Sequence, residues 1–325
     1  MDKRYRIDVH HHPMPTHQIS LGRRGARPDL KEWQPEASLA DMDKNGVATS
    51  ILSLPHAASA EPQDRQDNAA QARSWNEYLT RQANEHKGRF GVFATLPILN
   101  IDDSLKEAEY ALDVLKADGI GLMTNCGNRW LGQPYYFPLF EELNRRKAVV
   151  YTHPIAPNCT ENLLEPLVGD SIVEYAADTS RAIGCLLFSG AADRFKDIKW
   201  IFSHAGGTMP FLLERFTLAP VLGRKDLAKA VPEGVINYLK RFYYDTAQAS
   251  HPFAMASIKQ IVAVSQLLYG TDYPYRNNEE HLIGLRKCGF TEADLRAIES
   301  ENARRLLPRW KQPAAELETL PMAAC

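Results

Sequence analysis

The feature that most constrains this chain is an alternation. Eight short runs rich in β-branched and aromatic residues recur along it: RIDVHHH (6–12), ATSILSL (48–54), FGVFATL (90–96), GIGLMTN (119–125), AVVYTHP (148–154), IKWIFSH (198–204), FYYDTA (242–247) and LLYGTDY (267–273). Charged segments with helical spacing of their apolar residues lie between them. Eight strand–helix units predict an α/β fold, a single distorted (β/α)8 TIM barrel, because each parallel crossover needs its helix. An open doubly wound sheet is the alternative, but no GxGxxG or phosphate loop follows the first strand. The barrel domain is assigned to residues 1–311 and a C-terminal tail, weakly ordered or partner-bound, to 312–325. Insertions at 13–35, after strand one, and at 156–166, after strand five, leave the carboxyl ends of strands, where barrel enzymes build their sites.

The spacing predicts helices over 38–45 and 68–87. Ser104 with Glu107 three residues on reads as a capping box that opens a third. Thr291 and Asp294 repeat that signature before a last helix carrying Leu295, Ile298 and Leu306.

Composition removes several function classes. Lys+Arg number 38 against 40 Asp+Glu, a net charge of −2, which argues against a broad electrostatic footprint for nucleic acid or an anionic membrane. Apolar runs fall far short of the roughly 18 residues a membrane helix needs. The opening MDKRYRIDVH shows no signal-peptide core. The five cysteines (126, 159, 185, 288, 325) form no CxxC pair and read as reduced thiols of a cytoplasmic protein.

Position is what carries chemistry. The first strand ends in Asp8-Val9-His10-His11-His12, the fifth in His153, the sixth in His204-Ala205-Gly206-Gly207 and the eighth in Asp272. Alternation puts His10 and His12 on one face and His11 on the other. With Ile7 and Val9 packed outward, the pair points into the barrel mouth, where two imidazoles at i and i+2 meet one ion at about 2.1 Å. Asp8 is expected on the face of His10, either orienting a ligand imidazole or holding the barrel floor, and Asp245 is expected to brace His204 or a neighbouring loop. Gly206 and Gly207 are expected to let the chain turn tightly beneath the site. His56 is a weaker candidate for the rim.

The motifs IDVHHHPMP, YTHP, FSHAGGTMPFLLER, FYYDTA, YGTDYPY and ENARRLLP, in this order over residues 7–308, resemble the amidohydrolase superfamily, in particular its branch of metal-dependent decarboxylases similar to aminocarboxymuconate-semialdehyde decarboxylase. The resemblance implies one divalent ion on His10, His12, His153 and Asp272, His204 as general acid/base, and Asp272 as both ligand and proton carrier. Strand four, GIGLMTN, lacks the lysine that bridges two metals in binuclear members, which favours a single ion. Three imidazoles and a carboxylate suit zinc, with manganese the alternative. A homodimer or larger assembly is also implied by resemblance.

The implied reaction is nonoxidative decarboxylation of a small hydroxylated aromatic or muconate-like acid, such as a 2-hydroxybenzoate. Arg23, Arg24 and Arg27 on the first insertion, with Trp33, Trp130, Tyr135, Tyr136, Tyr273 and Tyr275, suggest an aromatic mouth for a planar anion. Arg23, Arg24, Trp130 and Tyr275 are the substrate-binding candidates. The same ligand set also serves a hydrolase of a lactone or amide through activated water, and a metal-free barrel would be a binding module.

Overall fold

The computed structural model describes residues 5–13, 32–55, 65–127, 129–157, 168–222 and 224–311. The strands are β1 (Arg6–His11), β2 (Val47–Leu52), β3 (Phe90–Thr95), β4 (Gly119–Met123), β5 (Val149–His153), β6 (Lys199–Phe202), β7 (Tyr243–Asp245) and β8 (Leu267–Leu268). They pair in parallel and in sequence order. Backbone bonds from Val9 to the Tyr269 carbonyl (2.9 Å), from Asp272 to that of His10 (2.9 Å) and from His12 to that of Tyr273 (2.8 Å) close β8 onto β1. All eight expected strands form. The last is shorter than its sequence run, because beyond it the chain turns toward the barrel mouth, with Asp272 at φ +68°.

The barrel interior is one apolar cluster drawn from six strands: Ile7, Val9, Ile51, Phe93, Val149, Tyr151, Ile201 and Leu268. Tyr151 stacks on Phe93 with centroids 5.3 Å apart. Leu306, Leu307 and Trp310, from the chain's last described turns, join this cluster and plug it. Trp310 also donates from Nε1 to Asp118 Oδ1 at 2.8 Å. This corrects the expectation that Ile7 and Val9 face outward. Both lie inside, and so does His10, whose ring is 5.3 Å from that of Tyr151. Two consecutive residues share the interior because the β1–β2 register breaks between Asp8 and His11. A second, larger cluster, including Phe90, Phe140, Trp200, Phe202 and Tyr244, fills the layer between strands and helices.

Helices occupy the spans that the charged segments suggest, among them Pro35–Lys44 and Arg65–Glu85. Ser104 is not a cap. The third helix, Ile101–Glu109, is capped by Asn100, whose side chain accepts from Asp103 N. Ser104 sits inside and returns its hydroxyl to the carbonyls of Pro97 and Asn100, while Glu107 accepts from Arg73 (2.7 Å) and Asn76 (2.8 Å) of the preceding helix. An acid three residues after a serine marks a cap only when nothing else claims the acid, and here the neighbouring helix does. Thr291 and Asp294 do form a reciprocal capping box at the start of Glu292–Arg296. Thr291→Ala is expected to cost about 1 kcal/mol, measured by urea unfolding.

Among the described residues, no helix is long and apolar enough to cross a membrane. Cys126, Cys185 and Cys288 are free thiols.

Candidate metal centre

Side chains from the carboxyl ends of three strands meet at the barrel mouth. His10 lies on β1, His12 just beyond it, His153 ends β5, and Asp272 follows β8. One ligating atom from each lies within 4.8 Å of all the others, and all four residues are buried.

The imidazoles are oriented alike. His10 Nδ1–H donates to Asp245 Oδ2 at 2.8 Å, His12 Nδ1–H to the Ser53 carbonyl at 2.8 Å, and His153 Nδ1–H to the Pro154 carbonyl at 2.9 Å. With each hydrogen on Nδ1, each Nε2 carries a lone pair. His10 Nε2 and His12 Nε2 then stand 2.9 Å apart, each 3.2 Å from Asp272 Oδ1. Among the described residues, Asp272 Oδ1 has no hydrogen-bond partner. Lone pairs converging at such distances repel one another unless a cation lies among them, so this donor set fits a divalent ion.

The same convergence attracts positive charge of any kind. Burial disfavours a charged His10, yet the carboxylates of Asp245 and Asp272 raise its pKa to about 10, so a proton competes with an ion for its Nε2 lone pair. Burial and the neighbouring imidazoles push His153 well below the ordinary histidine value, and burial also lowers His12. Burial opposes the ionisation of Asp272, but the attraction of His10 and the adjoining imidazoles holds its carboxyl well below the usual range. The cluster is a pocket of anionic character that calls for positive charge.

His204 stands beside it, directly after β6. Its ring lies 5.1 Å from that of His10 and 5.6 Å from that of His153, and its Nε2 is 3.5 Å from Asp272 Oδ2. That nitrogen makes no hydrogen bond among the described residues. His204 and Ala205 occupy the left-handed region at φ +54° and +53°, ahead of Gly206 and Gly207. Such backbone costs roughly 1–2 kcal/mol at each residue with a side chain. The tight turn expected from the glycine pair is present, and at Gly207 a Cβ would lie 2.1 Å from the Ala176 carbonyl oxygen.

Asp245 braces His204 as expected, through the His204 backbone N–H to Oδ1 (2.9 Å), and also takes His10, which the sequence does not indicate. Gln248 is a further addition, its Nε2 donating to Asp272 Oδ2 at 3.0 Å. Asp8 orients no ligand imidazole. It ties β1 to the last strand by accepting from Thr271 N (3.0 Å) and Oγ1 (2.6 Å), and it faces His11 Nδ1 at 3.2 Å. His11 points away from the cluster, bonds Ser38 and stacks on Tyr273 at 4.4 Å. His281 carries no motif, yet it is buried against Thr246 (2.9 Å), and burial lowers its pKa to about 3.

Of the expected mouth, Tyr275 stands next to the cluster, 6.2 Å from the His12 ring. Trp130 sits on a hairpin formed by Asn125–Cys126 and Arg129–Trp130, where its Nε1 donates to Asp178. Tyr135 binds the Leu99 carbonyl. Trp33 and Tyr136 are corrections: both are buried in the outer core, Trp33 donating to Ser38 Oγ at 2.7 Å and Tyr136 packing near Phe140. Large amphipathic rings serve either place, and only packing decides between them. Arg23, Arg24, Arg27, His56 and most of the 156–166 insertion lie outside the described residues. A cavity of about 600 Å³ lined by Arg181, Cys185, Leu212 and Phe216 shares no residue with the cluster.

The amidohydrolase family model matches residues 7–309. Decarboxylase yanB from Aspergillus niger is 36% identical over 95% of this chain and 89% of its own length. The 6-methylsalicylic acid decarboxylase of Penicillium expansum is 34% identical over 94% and 97% respectively. In fold, the chain matches a dihydroxybenzoic acid decarboxylase from Polaromonas with bound manganese, at a TM-score of 0.84 and 20% identity over 95% of this chain and 98% of that one. A family model that spans nearly every strand, and full-length relatives above 30% identity, make this chain a member of the amidohydrolase family.

Proposed function

We propose that the protein is a metal-dependent decarboxylase of a small hydroxylated aromatic acid, with 6-methylsalicylate and dihydroxybenzoates as the substrate class. The observation that carries this is the near full-length likeness to 6-methylsalicylic acid decarboxylase, in a chain whose four candidate ligands converge. An ion on His10, His12, His153 and Asp272 would supply a Lewis acid for the carboxylate and adjacent hydroxyl of the substrate. Zinc is our choice for a site of three imidazoles and a carboxylate, although the Polaromonas protein holds manganese.

The chain's own task is proton placement. His204 Nε2, unpartnered and 3.5 Å from Asp272 Oδ2, is free to hold a proton over the ring. The ring carbon bearing the carboxylate takes that proton. The carbon–carboxyl bond then breaks, its electron pair restoring the aromatic ring as CO2 departs. Tyr275, Trp130, Arg23 and Arg24 are the proposed contacts of the planar anion. The free thiols fit a reducing cytoplasm. Self-association belongs to the same reading, through exposed Ile172, Val173, Phe211, Val221 and Leu222.

Zinc-loaded protein incubated with 6-methylsalicylate or 2,6-dihydroxybenzoate is expected to release CO2 and the matching phenol. Hydrolysis of a lactone with no CO2 from any hydroxybenzoate would overturn the proposal in favour of a hydrolase.

A further inference from the structure

We propose that Asp245 is a positioning residue that sets the metal affinity of His10 and the placement of His204 at once. The inference rests on the metal-dependent reading above. Asp245 is fully buried at the end of β7. Its Oδ2 accepts His10 Nδ1–H at 2.8 Å, and its Oδ1 accepts the backbone N–H groups of His204 (2.9 Å) and Ala247 (3.0 Å).

The two arms do different things. The first keeps the His10 hydrogen on Nδ1 and so leaves the Nε2 lone pair facing His12 and Asp272. The second holds His204 by its main chain at a left-handed φ of +54°, the turn from which its ring reaches Asp272. A separate observation points to the same contact. A Cβ on Gly270 would lie 2.9 Å from the Cβ atoms of both His10 and Asp245, so the chain carries no side chain where this pair meets.

Asparagine matches aspartate in size but offers one oxygen and one NH2 group. Whichever way the amide turns, either His10 Nδ1–H or His204 N–H faces a donor. We would compare full-length wild type, Asp245→Asn and Gly270→Ala, which leaves every ligand and Asp245 chemically intact. Zinc dissociation constants would come from competition with a chromophoric chelator. Values of kcat and KM for 6-methylsalicylate would be measured at saturating zinc.

Both variants are expected to bind zinc about 10–100-fold more weakly. At saturating zinc, kcat stays depressed in Asp245→Asn while KM remains near wild type. Wild-type zinc affinity in Asp245→Asn, or full recovery of its kcat once zinc saturates, would overturn the proposal. If the wild type binds zinc but releases no CO2, the decarboxylase reading falls and the zinc constants alone decide the role of Asp245.

Discussion

His204→Ala is expected to keep the ion bound and to lower kcat by about 10²–10⁴-fold. The residue stands outside the convergent set of His10, His12, His153 and Asp272, so removing its imidazole takes no ligand away. What it removes is the nitrogen 3.5 Å from Asp272 Oδ2, to which the proposed mechanism gives the proton. Metal content by elemental analysis and kcat on the same preparation test this directly. An ion lost together with turnover would make His204 a ligand, and unaltered turnover would remove it from the chemistry. The left-handed backbone at His204 sharpens the expectation, since strain of that kind persists only where surrounding contacts hold it, here the bond to Asp245.

The second large effect is expected from the ligands. Asp272→Asn keeps the size of the side chain but deletes the charge that faces His10 and His12 at 3.2 Å. Zinc affinity is therefore expected to fall by more than about 100-fold, and activity with it, beyond what the loss of a group that only orients a ligand produces. His153→Ala is expected to do the same by removing one of the three imidazoles. Stripping the wild type with a chelator should reproduce the loss, and stoichiometric zinc should restore the wild type but neither variant. Stoichiometric metal and normal turnover in Asp272→Asn would remove that residue from the centre.

The barrel, and a rim carrying His10, His12, His153, His204 and Asp272, were legible in the sequence because both are local, whereas the choice of four of these as ligands came from the resemblance. A strand announces itself by composition over a few residues, and the carboxyl end of a strand is the rim of a barrel whatever the rest of the chain does. His10, His12, His153 and Asp272 could thus be placed on one rim, and the structure brings their ligating atoms within 4.8 Å. The expected strand-one alternation failed at Val9 and His10. A break in register is set by the neighbouring strand and leaves no mark in the strand's own composition.

Tertiary structure alone decided what orients the candidate ligands. Asp245 reaches His10 across 235 positions and Gln248 reaches Asp272 across 24, and neither pairing has a periodicity to betray it. The same holds for Glu107, drawn from a supposed cap to the helix beside it, and for Trp33 and Tyr136, drawn from a supposed mouth into the core. A residue's type states what it is able to bond, whereas its partner depends on which distant segments the barrel brings to it. For this protein the chain wrote down its strands and the polar groups at their carboxyl ends, and the closed cylinder selected their hydrogen-bonding partners.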